Sequence, residues 1–489
     1  MSAANDQRTA PQEHRNRGMQ RQRGQWPRLM VLLAGGFITI FDLFVVNVAV
    51  PSIQSDLNAD FSDIGFVIAG YELAFGVLLI AGGRLGDRYG RRRLFALGMV
   101  AFAVTSGLCG LAPGASFLVA ARFFQGMAAA LLFPQIYSLI RVLFDEGDRR
   151  RAFGFLGMTL GLAAIAGQVL GGVLVEGDLW GLGWRIIFLI NLPIGITAAL
   201  LSGLVPESRA PDALGMDWTG VGLASLGLLL LLAPLLEGPS SGWPAWTILL
   251  LAMSMVLLSL FVRWERRLSC GGGSPVIDMT LLGDMDFSAG MLAVLALYST
   301  ATSFFLCFAM LLQSGMGLTP LQAGSTFAPA SVGFVAASLA APGLVARFGN
   351  GAIAVGALTY AVGTGLLITQ VAITGGAMDA VWLVPALIVF GFGQGLSMTP
   401  LLNLVLGFVE ARRSGMAAGI ISTMQQVGGA FGVSIVGIFF VELLGPADTA
   451  TGADRYAEAF AGAMVYNLAA ALVAAFLIGW IARRRVVRA

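Results

Sequence analysis

The feature that most constrains this chain is a series of fourteen apolar segments, most of them near the ~20 residues needed to cross a ~30 Å hydrocarbon core. They fall at 29–50, 64–82, 94–112, 116–139, 153–175, 185–204, 219–236, 246–263, 287–312, 322–345, 351–374, 380–402, 414–441 and 460–482. Charged residues make up 11% of the 489, against about 25% in a soluble domain. In lipid every backbone polar group must be satisfied within its own segment, so the expectation is an all-α membrane protein with 14 transmembrane helices. The arginines test that count, because Lys/Arg-rich loops stay on the cytoplasmic side. With both termini cytoplasmic, only Arg122, Arg185 and Arg455 escape that side, leaving 26 of the 29 basic residues inside. The opposite loops carry Asp56, Asp60, Asp63, Glu176, Asp178, Asp448 and Asp454. One helix more or fewer would invert every later loop.

The residue inventory removes whole mechanisms. All 29 basic residues are arginine, and without lysine there is no phosphate-binding Gly-Lys-Ser/Thr loop and no Schiff base. The chain is therefore not a self-contained ATP-driven pump. Its one histidine, His14, lies in the polar N-terminal stretch, which excludes a Ser-His-Asp triad and a His-ligated zinc. Cys109, Cys270 and Cys307 match neither a metal spacing nor a disulfide framework. No catalytic constellation, cofactor site, metal site or nucleic-acid-binding surface is expected, and no enzyme.

Residues 82–93, GGRLGDRYGRRR, form a short Gly- and Arg-rich turn between the second and third segments. Glycines permit a tight turn and close helix approach, and the five arginines hold the turn on the cytoplasmic side. This turn resembles the signature loop between helices two and three of the major facilitator superfamily of transporters. Residues 82–90 are echoed by 341–349 (APGLVARFG) at an offset of 259, Gln125-Gly126 by Gln394-Gly395, and Arg150-Arg151 by Arg412-Arg413. Segments one to six and nine to fourteen thus read as two homologous bundles, as in that superfamily. The expected division is a disordered cytoplasmic tail (1–27), a six-helix bundle (28–210), an inserted helix pair (211–266), a cytoplasmic linker (267–286), a second six-helix bundle (287–483) and a basic cytoplasmic tail (484–489). No charge lies between Trp218 and Leu236, so the inserted pair reads as peripheral and lipid-facing.

Charges inside a span cost several kcal/mol and are functional candidates by default. The clear cases are Asp42, Glu72 and Arg122, all in the first bundle, whereas the second holds acids only near span ends, at Asp379 and Glu442. Asp42 shares a helical face with Gly35 and Thr39, and Asn47 lies roughly 140° further round. Its segment, FDLFVVNVAVPSIQSDL, resembles the first-helix motif of the fourteen-helix drug–proton antiporters, which marks Asp42 as functional. Burial disfavours a carboxylate's charged form, so it can carry a proton, or it can be a structural acid paired with a neighbouring helix. Glu72 lies in a small-residue stripe with Gly65, Ala69, Gly76 and Gly83, and either points into a central cavity or is held by Arg122. Arg122 opens RFFQGMAAALLFP, with Gln125, Gly126 and Ala129 on its face. That resembles the family's fourth-helix motif, in which the arginine is associated with proton transfer; a static buried ion pair is the other reading.

Segment five carries Gly154, Gly157, Gly161, Ala164, Gly167, Gln168, Gly171 and Gly172, most of them within roughly a 100° arc that lets helices pack closely and rock. It resembles the antiporter motif, but Gln168 replaces the expected proline, so the kink is missing and the motif argues less strongly for export. WRIIFLINLPIG at 184–195 again resembles the fourteen-helix exporters. For a promiscuous apolar pocket, Tyr71, Phe75, Gln125, Tyr137, Tyr298, Phe304, Gln394, Gln425 and Gln426 are the candidates to contact cargo. The resemblance implies a conformational latch at Gly83, Asp87, Arg88, Gly90 and Arg91. It also implies a monomeric exporter of lipophilic, cationic or neutral drugs in the bacterial plasma membrane, driven by protons and alternating access. A proton-coupled uptake permease for a small metabolite and a non-transporting membrane sensor are the rival readings.

Overall fold

The computed structural model describes residues 6–210, 215–271, 273–375, 379–410, 414–445 and 452–488. Among them fourteen helices are long and apolar enough to cross a membrane. The first six are α1 (Asp6–Leu57), α2 (Phe61–Tyr89), α3 (Arg91–Gly110), α4 (Ala115–Leu143), α5 (Glu146–Glu176) and α6 (Gly183–Leu204). The next two are α7 (Trp218–Ser241) and α8 (Ala245–Cys270). The last six are α9 (Met285–Gly315), α10 (Pro320–Phe348), α11 (Gly351–Thr374), α12 (Ala380–Leu406), α13 (Ser414–Leu444) and α14 (Ala453–Arg488). Residues 1–5, Arg412-Arg413 and Asp448 lie outside the described residues.

One expectation changes at the start of the chain: residues 6–27 are helical and continuous with α1. Extending a helix avoids the costly nucleation step, and this stretch is rich in Gln and Arg, which propagate well. Elsewhere the helices are interrupted where the sequence predicts plain spans. In α6 the helix breaks between Ile186–Leu189 and Asn191–Leu201, and α9 ends in a π turn at Leu311–Gly315.

Glycines set the helix packing in both halves. An added Cβ at Gly126 on α4 would strike the carbonyl of Tyr71 on α2, and one at Gly395 on α12 the carbonyl of Phe334 on α10. The Gln-Gly repeat in the sequence is thus one packing device used twice. In the first half α2 lies against α4, α1 against α5, and α3 against α4 and α6; in the second, α10 and α11 lie against α12, and α9 against α13 and α14. The halves meet along α2–α13 and α5–α10.

The inserted pair departs from the expected lipid-facing role at α7, which packs against both α2 and α13 and so lies on the seam. An added Cβ at Gly65 on α2 would come within 2.7 Å of Leu236 of α7, and Ser62 donates to Glu237 at 2.6 Å. The other member, α8, packs chiefly on α7 and exposes Ile248, Leu249, Met255 and Val256.

Candidate functional site

Three helices of the first half, α1, α4 and α6, meet at the Asp42 carboxylate, which is fully buried midway along the membrane-spanning part of α1, Gln25–Leu57. Arg122 of α4 pairs with its Oδ2. Gln125, one turn along α4, donates to Oδ1 at 2.9 Å, and Asn191 of α6 donates to the same oxygen at 2.9 Å. Asn191 also donates to Ser106 Oγ of α3 at 3.0 Å, and Ser106 donates to the carbonyl of Phe188 at 2.8 Å. The Arg122 guanidinium is itself held: it donates to Gln125 Oε1 at 2.7 Å and to the Val67 carbonyl of α2 at 3.1 Å. It also stacks over the Tyr71 ring at 4.2 Å, and Tyr71 donates to the Thr39 carbonyl at 3.2 Å. Asp42 is thus shut off from water and accepts from one cation and two amides. Asn191 was not among the sequence candidates, although it lies in WRIIFLINLPIG, where an amide at a helix break was the available signal. Asn47, on the other side of α1, donates to its own helix at Leu43 and Phe44.

Glu72 is placed differently, and Arg122 does not hold it. It is 1% exposed and crosses the seam: Thr302 of α9 donates to its Oε1 at 2.6 Å. Its Oε2 has no hydrogen-bond partner and lies against Gly429 of α13, where an added Cβ would collide with it. Gly76, one turn on from Glu72, faces the other half as well, its ideal Cβ lying 2.8 Å from the Cβ of Gln426. The Thr423 hydroxyl donates to the Gly76 carbonyl at 2.8 Å.

The α5–α10 seam is closed at its acidic end. Gly167 and Gly171 lie on α1, where an added Cβ would be 2.9 Å from Phe44 Cβ and 2.8 Å from Val45 Cγ2. Gly172 lies on α10, 2.8 Å from Leu321 Cα by the same measure. Gln168, in the place of the expected proline, donates to the Phe44 carbonyl at 3.2 Å. Glu176 accepts from the Leu321 amide at 3.0 Å, and Gln313 in the π turn donates to the Val48 carbonyl of α1 at 2.8 Å. Toward the arginine-rich end, an added Cβ at Gly154, Gly157 or Gly161 meets nothing within 4 Å. One glycine face is thus packed at one end and free of protein neighbours at the other.

In the hinge, Asp87 accepts from Arg91 Nε at 2.9 Å and Nη2 at 2.8 Å, within its own turn, while Arg88 is exposed. Gly90 turns the chain with φ +116°, a conformation that favours glycine, and an added Cβ there would meet the Glu207 carboxyl at 2.9 Å. Glu207 accepts from the Arg92 amide at 3.0 Å and pairs with Arg92 and Arg93 at 3.7 Å each. This acid was also missed by sequence reasoning; its signal was a lone carboxylate among arginines just after α6. Gly83 packs on Pro134 of α4 at 3.6 Å from its ideal Cβ.

Four residues expected to touch cargo are core instead. Tyr71 and Gln125 are fully buried within the Asp42 cluster, Phe75 is 2% exposed against Phe133, and Phe304 is fully buried among Phe308, Phe327, Phe390 and Phe460. Aromatic rings on helix faces that meet other helices bury for their area alone, and sequence spacing does not separate them from cavity walls. Tyr137, Tyr298, Gln425 and Gln426 keep partial exposure, and Gln394 is buried.

The family model described as Major Facilitator Superfamily matches residues 32–433. A probable actinorhodin transporter from Streptomyces coelicolor is 38% identical over 438 residues, 88% of this chain and 75% of the relative. The tetracenomycin C resistance and export protein of Streptomyces glaucescens is 30% identical, covering 89% and 78%. A puromycin resistance protein of Streptomyces alboniger is 34% identical, covering 84% and 81%. Among solved structures, a bacterial homologue of the human lysosomal transporter Spinster, inward-facing and unoccupied, superposes with a TM-score of 0.66 at 15% identity, over 94% of this chain and 97% of that one. A peptide transporter bound to sulfate gives 0.66 at 14%, over 93% and 95%. At such identities the likeness concerns the fold alone.

Proposed function

The chain belongs to the major facilitator superfamily of membrane transporters, and from this premise we propose that it exports lipophilic drugs or antibiotics in exchange for protons. It is a multi-pass protein of the bacterial cytoplasmic membrane and a transporter rather than an enzyme. Export is supported by relatives named for the export of, or resistance to, antibiotics. Proton coupling rests on one observation: a fully buried carboxylate, Asp42, whose partners come from two other helices and include a cation.

In this reading the seam parted toward the cytoplasm admits cargo while Asp42 is ionised and paired. After the loaded protein has opened outward and released its cargo, a proton reaching Asp42 from the outer side cancels its attraction for Arg122 and turns an acceptor of three donors into a group that must itself donate. The hold of α4 and α6 on α1 weakens. Because α1 also packs on α5 at Gly167 and Gly171, and on α9 through Val48 and Gln313, the change reaches the outer end, which closes as the cytoplasmic side reopens and the proton leaves to the cytoplasm. Glu72 is a second proton carrier at the seam, since its free oxygen faces the half that moves away. Asp87, Arg88 and Arg91 in the hinge serve as the latch when the cytoplasmic face closes. One charge crossing ~100 mV supplies ~2.3 kcal/mol, which at ~1.4 kcal/mol per decade supports a roughly 50-fold cargo gradient. The protein works as a monomer on cationic or neutral cargo, with the proton gradient as its energy source and no cofactor.

The test uses inside-out vesicles with an acidified lumen, a pH-sensitive dye and a panel of lipophilic antibiotics. Cargo-evoked loss of the proton gradient, with cargo driven into the lumen, is expected. Movement of cargo out of the lumen with the protons would make the protein an uptake permease. No response from folded protein to any compound would remove transport of such cargo.

A further inference from the structure

The two chain segments that enter and leave the inserted pair converge on one side chain. Arg84 of α2, in the hinge sequence, donates from Nη1 to the carbonyls of Gly215 at 3.1 Å and Ser274 at 2.9 Å, and from Nη2 to the carbonyl of Pro275. Residue 215 precedes α7, and residues 274 and 275 follow α8. Beside this junction two acids face each other. Asp217 caps α7 by accepting from the Gly220 amide at 2.8 Å and also accepts from Trp264 Nε1 at 3.0 Å and 3.1 Å. Glu265 of α8 is fully buried; its Oε2 accepts from the Ile277 amide at 3.0 Å, while its Oε1 has no partner. A Cβ built on Gly220 would collide with both Glu265 Oε1 and Asp217 Oδ2. The free oxygen of one carboxyl is therefore aimed across a glycine at the other.

We infer that Asp217 and Glu265 share a proton and act with Arg84 as a clasp, opened by rising cytoplasmic pH, that fastens the inserted pair to the hinge. Two buried carboxylates facing each other across Gly220 repel when both are charged, whereas one protonated carboxyl donates to its neighbour and satisfies the free oxygen. Among the described residues, the charged groups facing the pair are Arg84 from α2, Asp217 from α7 and Glu265 from α8. From the α8–α9 linker the Ile277 amide donates to Glu265, and Asp278 accepts from the Thr280 amide at 3.0 Å and hydroxyl at 2.7 Å. The sign follows directly. Below the pair's titration the shared proton holds the clasp; above it both acids ionise, a single Arg84 already committed to carbonyls does not offset two charges, and the clasp loosens. Since Ser62–Glu237 fastens the other end of α7 to α2, opening the clasp frees one end only. The inserted pair then becomes a pH-adjusted load on the helix that carries the hinge. The inference concerns these loops alone and does not depend on what is transported.

The test uses the full-length protein in liposomes with spin labels at Cys270, which is exposed at the end of α8, and at an introduced Tyr89→Cys on α2; Cys109 and Cys307 are buried. Distances are measured from about pH 5 to about pH 9, a range spanning an ordinary carboxyl titration and its displacement by a like charge. The expected result is a narrow short distance at low pH that broadens and lengthens at high pH. Glu265→Gln, whose amide donates as the shared proton does, should keep the short distance throughout, and Arg84→Gln should lose it throughout. A wild-type distance indifferent to pH, or a pH response surviving in Glu265→Gln, would overturn the inference.

Discussion

In the first half Asn191 of α6 donates to Asp42 on α1 and Ser106 on α3. In the second half the corresponding helix, α14, offers Asn467, which donates to the Thr300 carbonyl of α9 at 3.2 Å and accepts from Ser303 at 3.1 Å. Tyr360 of α11 closes that knot by donating to the Thr300 hydroxyl at 2.8 Å. The same three helices are tied at the same place in each half, once through a charged pair and once through neutral groups. The neutral knot shows that the scaffold does not require charge for its stability. A buried ion pair is weak evidence for stability, because desolvation can exceed the Coulombic gain. Its presence in one half alone is what the proposed proton coupling through α1, α4 and α6 rests on.

The comparison can be broken at its charged side, where the largest effect is expected. Arg122→Met alone strands Asp42 in the core and should cost about 3–5 kcal/mol, read as a lower melting temperature in detergent. Asp42→Leu with Arg122→Met makes the knot neutral and should recover most of that stability while removing the proton coupling that runs through Asp42. A double variant as unstable as the single one would mean that the pair is structural.

Next comes the acid between the halves. Glu72→Gln keeps an acceptor for Thr302 and removes only the ionisable group. It should lower the cargo gradient reached in energised vesicles by up to roughly 50-fold, the share of one charge at ~100 mV, without abolishing transport. An unchanged gradient would confine coupling to Asp42. The smallest effect belongs to the neutral knot. Tyr360→Phe should cost about 1 kcal/mol, one hydrogen bond, and leave the ratio of protons to cargo untouched; an altered ratio would contradict the division of labour between the halves.

Much of this was legible in the sequence, for identifiable reasons. Fourteen spans, the repeat and the three intramembrane charges follow from hydropathy, arginine placement and the rarity of charge in lipid. Which acid Arg122 holds was not legible, because Asp42 and Glu72 are both buried in the first half and only packing chooses between them. Asn191 and Thr302 escaped notice because single amides and hydroxyls are common in spans, and their meaning lies in the helix opposite. The roles of Tyr71, Phe75 and Phe304 went astray for the same reason: an aromatic ring reads alike on a cavity wall and in a core. The placement of α7 on the seam was hidden by its long apolar run, uncharged from Trp218 to Leu236, which suits lipid and a helix groove equally.

The central claim is that Asp42 carries the coupling proton rather than merely holding the fold. The direct measurement compares two modes in liposomes containing wild type or Asp42→Asn: exchange of labelled for unlabelled cargo without a gradient, and accumulation driven by an imposed proton gradient. The account predicts that the variant still exchanges cargo but no longer accumulates it. Proton-driven accumulation that survives at the wild-type level in Asp42→Asn would contradict it.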